Sequence, residues 1–84
     1  MITVKVFGAT PPCAKCKEVE KRANRVASKY PDQVEVSKFE AISEEGLKYN
    51  VLFTPTVVIN DKVVVSGGVI SESELEDAIK QEMG

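Results

Sequence analysis

Histidine and tryptophan are absent from this chain of 84 residues, and cysteine occurs only twice. Without His, a single chain can form no Ser–His or Cys–His catalytic pair and no His-ligated metal site. Two cysteines, Cys13 and Cys16, are too few for the disulfide framework of a small secreted domain. Standing three residues apart, they cannot tie distant parts of a fold together, so their use is local. No apolar run approaches the roughly 18 residues of a membrane span, and no membrane association is expected. Charge of one sign is lacking too, since 11 Lys and Arg stand against 13 Asp and Glu for a net charge of −2. A mildly acidic chain with scattered cations is not built to bind nucleic acid. The opening residues read as a strand rather than as a charged leader with an apolar stretch, so a cytoplasmic protein is expected. The length suits one core, and one domain over residues 1–84 is expected, acting as a monomer.

What is present is a regular alternation of strand and helix signals. Ile2, Val4 and Val6 alternate with Thr3, Lys5 and Phe7, giving a strand with one strongly apolar face. A loop over Gly8–Pro12 follows. Cys16, Val19, Ala23, Val26, Ala27 and Tyr30 then form one apolar stripe, which predicts a helix from about Cys13 to Lys29, ended by Pro31 and Asp32. A second strand is predicted over Gln33–Phe39. Two later helix starts share one design. Ile42 precedes Ser43 and Leu47 follows four residues on; Ile70 precedes Ser71 and Leu75 follows four residues on. Each pattern reads as a Ser N-cap with a hydrophobic staple, and Glu74 completes a capping box in the second. The expected helices are Glu44–Tyr49 and Glu72–Glu82. Between them, the β-branched runs Thr56–Ile59 and Lys62–Val65 flank Asn60-Asp61, a pair that tolerates the positive φ of a tight hairpin. The expected class is α/β, in the order β-α-β-α-β-β-α, with a four-stranded mixed sheet flanked by helices.

Chemistry points to Cys13-Ala14-Lys15-Cys16. Cysteines at i and i+3 in the first turn of a helix lie about 5–6 Å apart at Cα, within disulfide range. Cys13 is placed at the helix mouth, where free amides and the positive end of the helix dipole favour a thiolate. Lys15 and Lys17 add positive charge there. Cys16 heads the apolar stripe and is expected to be shielded. The reading is an exposed nucleophile, Cys13, and a resolving thiol, Cys16, cycling between dithiol and disulfide without any other cofactor and without a metal.

With Pro12-Cys13-Ala14-Lys15-Cys16, Tyr49-Asn50-Val51-Leu52-Phe53-Thr54-Pro55-Thr56 and Gly67-Gly68 in place, the chain resembles the thioredoxin-like superfamily. More narrowly it is similar to small thioredoxin- or glutaredoxin-like redox-active disulfide proteins of archaea and bacteria. The resemblance implies a minimal thioredoxin fold, a cis peptide bond before Pro55, and a substrate surface that includes Pro12, Lys15, Thr54, Pro55, Gly67 and Gly68. It also implies disulfide-containing protein substrates and an upstream thiol reductant, either a reductase or a glutathione-type thiol. Departures are visible. Pro12 precedes the first cysteine where thioredoxins usually have Trp, Ala14-Lys15 replaces their Gly-Pro, and Phe7 takes the position of their buried acid.

Alternative functions remain at this stage. Gly67-Gly68 before Ser71 also resembles the glutathione-binding corner of glutaredoxins, which makes glutathione-linked activity the first alternative. A Cu(I) or Zn carrier using the two thiolates is the second, although the expected terminal helix and Thr54-Pro55 do not suit such domains. A non-catalytic docking domain is the third.

Overall fold

The structure, a computed structural model, describes residues 2–9 and 14–83. Its elements are β1 (Ile2–Gly8), α1 (Ala14–Ala27), β2 (Val34–Glu40), α2 (Glu44–Lys48), β3 (Thr56–Ile59), β4 (Lys62–Ser66) and α3 (Glu72–Met83). They form the expected α/β arrangement. One mixed sheet runs in the order β2-β1-β3-β4. β1 and β2 are parallel with Val4 opposite Val36, β1 and β3 are antiparallel, and β3 and β4 form an antiparallel hairpin.

Side-chain alternation in β1 sorts the two faces of the sheet. Ile2, Val4 and Val6 join Val19, Ala23 and Val26 of α1 and Leu75 and Ile79 of α3 in one buried core. Lys5 and Phe7 point to the other face, where α2 lies. Phe7 is fully buried there, stacked on Phe39 at 5.5 Å and edge-on to Tyr49 at 6.1 Å. All four residues of β3 are buried, as suits a short β-branched strand in the middle of a sheet.

Turn chemistry accounts for the connections. Asn60 and Asp61 have φ of 46° and 71°, the left-handed values that a two-residue hairpin requires. Asn60 Oδ1 also accepts from the Thr3 amide at 3.0 Å, which fastens the hairpin to β1. α1 stops two residues short of the expected Lys29. Lys29 and Tyr30 instead donate to Val26 and Ala27 carbonyls in a tightened final turn, because the residue before Pro31 is pushed out of helical geometry.

The paired helix starts divide. At α3, Ile70 and Leu75 are buried as the staple predicts. The Ser71 hydroxyl accepts from the Glu74 amide at 3.1 Å and donates to the Glu74 carboxylate at 3.1 Å. At α2 the Ser43 cap forms, accepting from the Gly46 amide at 3.1 Å and donating to the Glu40 carbonyl at 2.6 Å. Its staple does not, because Ile42 and Leu47 are 94% and 78% exposed. Gly46 faces the protein instead, and a Cβ there would lie 1.9 Å from the Ala41 carbonyl oxygen.

Candidate active site at the strand ends

β1 leads into α1 on one face of the sheet, while the parallel β2 leads into α2 on the other. A sheet whose neighbouring strands part in this way leaves a crevice at their carboxyl ends, and ligands of α/β sheets bind in such crevices. Here it is a groove of about 290 Å³ lined by Gly8, Ala9, Glu40, Ala41, Ile42 and Thr54. The Ala41 amide donates to the Gly8 carbonyl at 3.0 Å and ties the two sides together.

Cys16 lies beside this groove, in the first turn of α1 and 3% exposed. It packs against Gly8: a Cβ at that glycine would stand 3.5 Å from Cys16 Cβ and 3.7 Å from its Sγ. No acidic residue occupies the first turn of α1, and Lys15 and Lys17 flank Cys16 on the exposed side. The positive end of the helix dipole is therefore not offset at this end. Pro12 and Cys13, both expected at the site, lie outside the described residues.

Thr54 comes to the groove from the loop before β3. The Thr54–Pro55 peptide bond is cis and Pro55 is buried. Two hydrogen bonds hold this loop: the buried Thr56 hydroxyl donates to the Phe53 carbonyl at 2.6 Å, and the Gly67 amide donates to the Pro55 carbonyl at 2.8 Å. Gly67 has φ of +77°, and a Cβ there would come within 2.7 Å of Phe53 Cβ, so both its conformation and its neighbour require glycine. Beside the loop, Leu52 and Phe53 are 80% and 64% exposed. Gly68 leads toward α3, whose first turn carries Glu72 and Glu74.

Behind the groove, α2 is clamped to the sheet by polar contacts. Lys5 Nζ donates to Glu45 at 2.9 Å and to the Tyr49 hydroxyl at 3.1 Å, and the Tyr49 hydroxyl donates to Asp61. The hydrogen bond from Lys5 holds the Glu45 carboxyl below its ordinary range, and those to Glu45 and Tyr49 raise Lys5. The hydrogen bond from Tyr49 lowers Asp61 in the same way. Among the described residues no cluster of three or more His, Cys, Asp or Glu could hold a metal ion.

The structure thus brings Thr54 to the groove, with Cys16 just behind Gly8. Sequence reasoning did not single out Ala9, Glu40, Ala41 or Ile42, and it assigned Ile42 to a staple. The available signal was positional, since these residues follow the carboxyl ends of two parallel strands whose helices leave on opposite faces.

Comparison with known proteins agrees with this geometry. The thioredoxin domain family matches residues 2–80. Over 84 aligned residues the chain is 29% identical to a thioredoxin of Methanocaldococcus jannaschii, covering 98% of this chain and 96% of that one. It is 32% identical over 87 aligned residues to a probable thioredoxin of Archaeoglobus fulgidus, covering 100% of this chain and 92% of that one. Among solved structures, a chloroplastic thioredoxin z superposes with a TM-score of 0.80 at 21% identity, covering 100% of this chain and 80% of that one. The germline-specific thioredoxin Deadhead of Drosophila melanogaster superposes with a TM-score of 0.73 at 27% identity, covering 95% of this chain and 79% of that one. The chain belongs to the thioredoxin domain family, and its kinship with these thioredoxins supports a thioredoxin-type redox function.

Proposed function

We propose that this thioredoxin-family chain reduces protein disulfides, with Cys13 as the attacking thiolate and Cys16 as the resolving thiol. The observation that carries the reading is the placement of Cys16 in the first turn of α1, shielded and packed against Gly8, which with Thr54 lines the groove. A shielded second thiol is suited to attack a neighbouring sulfur rather than an incoming substrate.

The cycle balances on sulfur alone. Cys13 thiolate attacks one sulfur of a substrate disulfide, a mixed disulfide forms, and the first substrate thiolate leaves and takes a proton. Cys16 then loses its proton and attacks Cys13 Sγ. The second substrate thiolate departs, and two electrons have passed from the Cys13–Cys16 pair to the substrate. The pair is the only redox group required, and a thiol reductant regenerates it. The family resemblance puts Phe7 where thioredoxins usually carry a buried acid, so no carboxylate at that position takes the Cys16 proton. An extended substrate segment docks along Thr54 and Pro55, with Lys15 and Gly68 at the margins; the part the family resemblance gives to Pro12 falls outside the described residues. A reducing cytosol is the compartment in which such a pair works as a reductant.

Two features favour this reading over glutathione-linked activity. The Gly67 amide already donates to Pro55, so it is not free to receive a carboxylate. At the mouth of α3 Glu72 is engaged by Arg25 at 3.2 Å, and Glu74 opposes the carboxylates of glutathione.

The test is reduction of an insulin-type disulfide by the dithiol form. Cys13→Ser should abolish turnover with little change in thermal stability. Cys16→Ser should stop after one attack and accumulate a mixed disulfide visible by mass spectrometry. Full turnover by Cys16→Ser would refute the two-thiol cycle.

A further inference from the structure

Among the described residues, seven of the eleven basic side chains form an ion pair with a carboxylate, from Lys5 with Glu45 at 2.9 Å to Lys80 with Glu76 at 3.7 Å. Of the remaining four, Lys48 lies over the Tyr49 ring at 5.4 Å. The other three are Lys15, Lys17 and Lys21, all exposed and all in the first half of α1. Among the described residues none of them meets a carboxylate. The acids of that half-helix are already engaged, Glu18 by Arg22 at 2.8 Å and Glu20 by Lys38 at 3.2 Å. Lys17 and Lys21 lie one helical turn apart on the same outward face, which also holds Glu20, engaged by Lys38, and continues past Asn24 to Arg25 and Ser28.

This concentration of unpaired cations stands out because the chain as a whole is acidic, with a net charge of −2. An acidic partner is repelled by the protein at large and attracted at one place, the half-helix that holds Cys16. Such an arrangement orients an encounter before contact is made. Each of these side chains leaves its charge in water, and none is used in the packing of the core.

We propose that Lys17 and Lys21, with Lys15 at the helix end, form a docking surface for protein partners that carry carboxylates beside the disulfide they present. This inference rests on the disulfide-reductase reading, and it adds the class of partner that the site selects. It concerns the approach of the partner and adds no chemical step: electrons still pass from the two thiols to the partner's disulfide.

The experiment uses three synthetic peptides with the same internal disulfide, flanked by pairs of Glu, Gln or Lys. Single-turnover reduction by the reduced full-length protein is followed for each, and the rates are read as ratios to the Gln peptide. Near 0.01 M ionic strength, where the Debye length is about 30 Å, the Glu peptide should react about tenfold faster than the Lys peptide. Near 1 M, where it is about 3 Å, the gap should close. In the double variant Lys17→Glu with Lys21→Glu the order of Glu and Lys peptides should invert at low salt. Equal rates for the Glu and Lys peptides at low salt, or a Glu preference that survives the double variant, would overturn the proposal. Reduction of the Gln peptide with no charge preference would overturn this inference alone. Failure to reduce any of the three would remove the reductase reading and the inference with it.

Discussion

The starts of α2 and α3 carry the same Ile-Ser-x-x-x-Leu pattern, and their surroundings are opposite. Ile70 and Leu75 are 5% and 0% exposed, whereas Ile42 and Leu47 stand in solvent. Both serine caps form, because a cap is satisfied within four residues. A staple needs a third party to cover it. α3 lies against α1 and the inner face of the sheet, with Leu75 and Ile79 in the main core and the Ile70 carbonyl accepting from Arg22 at 3.0 Å. α2 is five residues long and is held through Lys5, Tyr49 and the close approach of Gly46 to Ala41. Its apolar residues are left over, and Ile42 becomes a wall of the groove. Local sequence therefore specifies the cap, while the layer above or below specifies whether the neighbouring apolar pair is core or rim.

The contrast can be broken most sharply by truncating the equivalent leucines. Leu75→Ala should cost about 2–5 kcal/mol in urea unfolding, as for a fully buried leucine. Leu47→Ala should stay within about 0.5 kcal/mol. Equal losses would mean that α2 is packed like α3. Gly46→Ala comes next. In an exposed helix this change stabilises by up to about 1 kcal/mol, but the contact with the Ala41 carbonyl should turn it into a loss of about 1–3 kcal/mol. A stabilised variant in denaturant titration would show that α2 is free to shift. The caps should behave alike: Ser43→Ala and Ser71→Ala should each cost about 1 kcal/mol, since the bond from the N3 amide to each hydroxyl oxygen has the same length. A much smaller loss at Ser43 would indicate that α2 frays in solution.

The gentlest probe is pH. Glu45 is lowered by its hydrogen bond from Lys5, and Glu76 by those from Tyr30 and Lys29. A depressed carboxyl contributes stability above its ordinary range of about 4, and that contribution is lost as pH falls through the folded-state value. α3 retains Leu75 and Ile79 after Glu76 is protonated, but α2 has no such reserve. On acidification, amide exchange should therefore accelerate in α2 before α3. At the alkaline end, raised Lys5 and Tyr30 act in the opposite sense, their contributions persisting until the pH passes about 10. Simultaneous loss of protection in both helices on acidification would remove the distinction.

Much of the architecture was legible. The alternation in β1, the stripe Cys16–Val19–Ala23–Val26 and the Asn60-Asp61 hairpin each follow from local periodicity or turn chemistry, and each appears as expected. Two of the pairings also follow, because β1 and β2 are joined by the crossover helix α1 and run parallel, and β3 and β4 are joined by two residues and run antiparallel; β3 runs antiparallel to β1 although α2 precedes it. Legibility was lower at the site. Cys16 was placed correctly in the buried stripe, and the cis bond before Pro55 was an implication of family resemblance rather than of the local residues. The groove was missed because Ala9, Glu40, Ala41 and Ile42 have no chemistry in common. They become neighbours only when two strand ends lie side by side.

Sequence alone determined the order of elements, the turns and caps, and the spacing of the two cysteines, because each depends on interactions within a few residues. Tertiary structure decided which apolar residues are core, that Phe7 belongs to an aromatic cluster with Phe39 and Tyr49, and where the groove lies. Those outcomes depend on surfaces contributed by segments far apart in the chain, and a residue carries no local record of what will be folded against it.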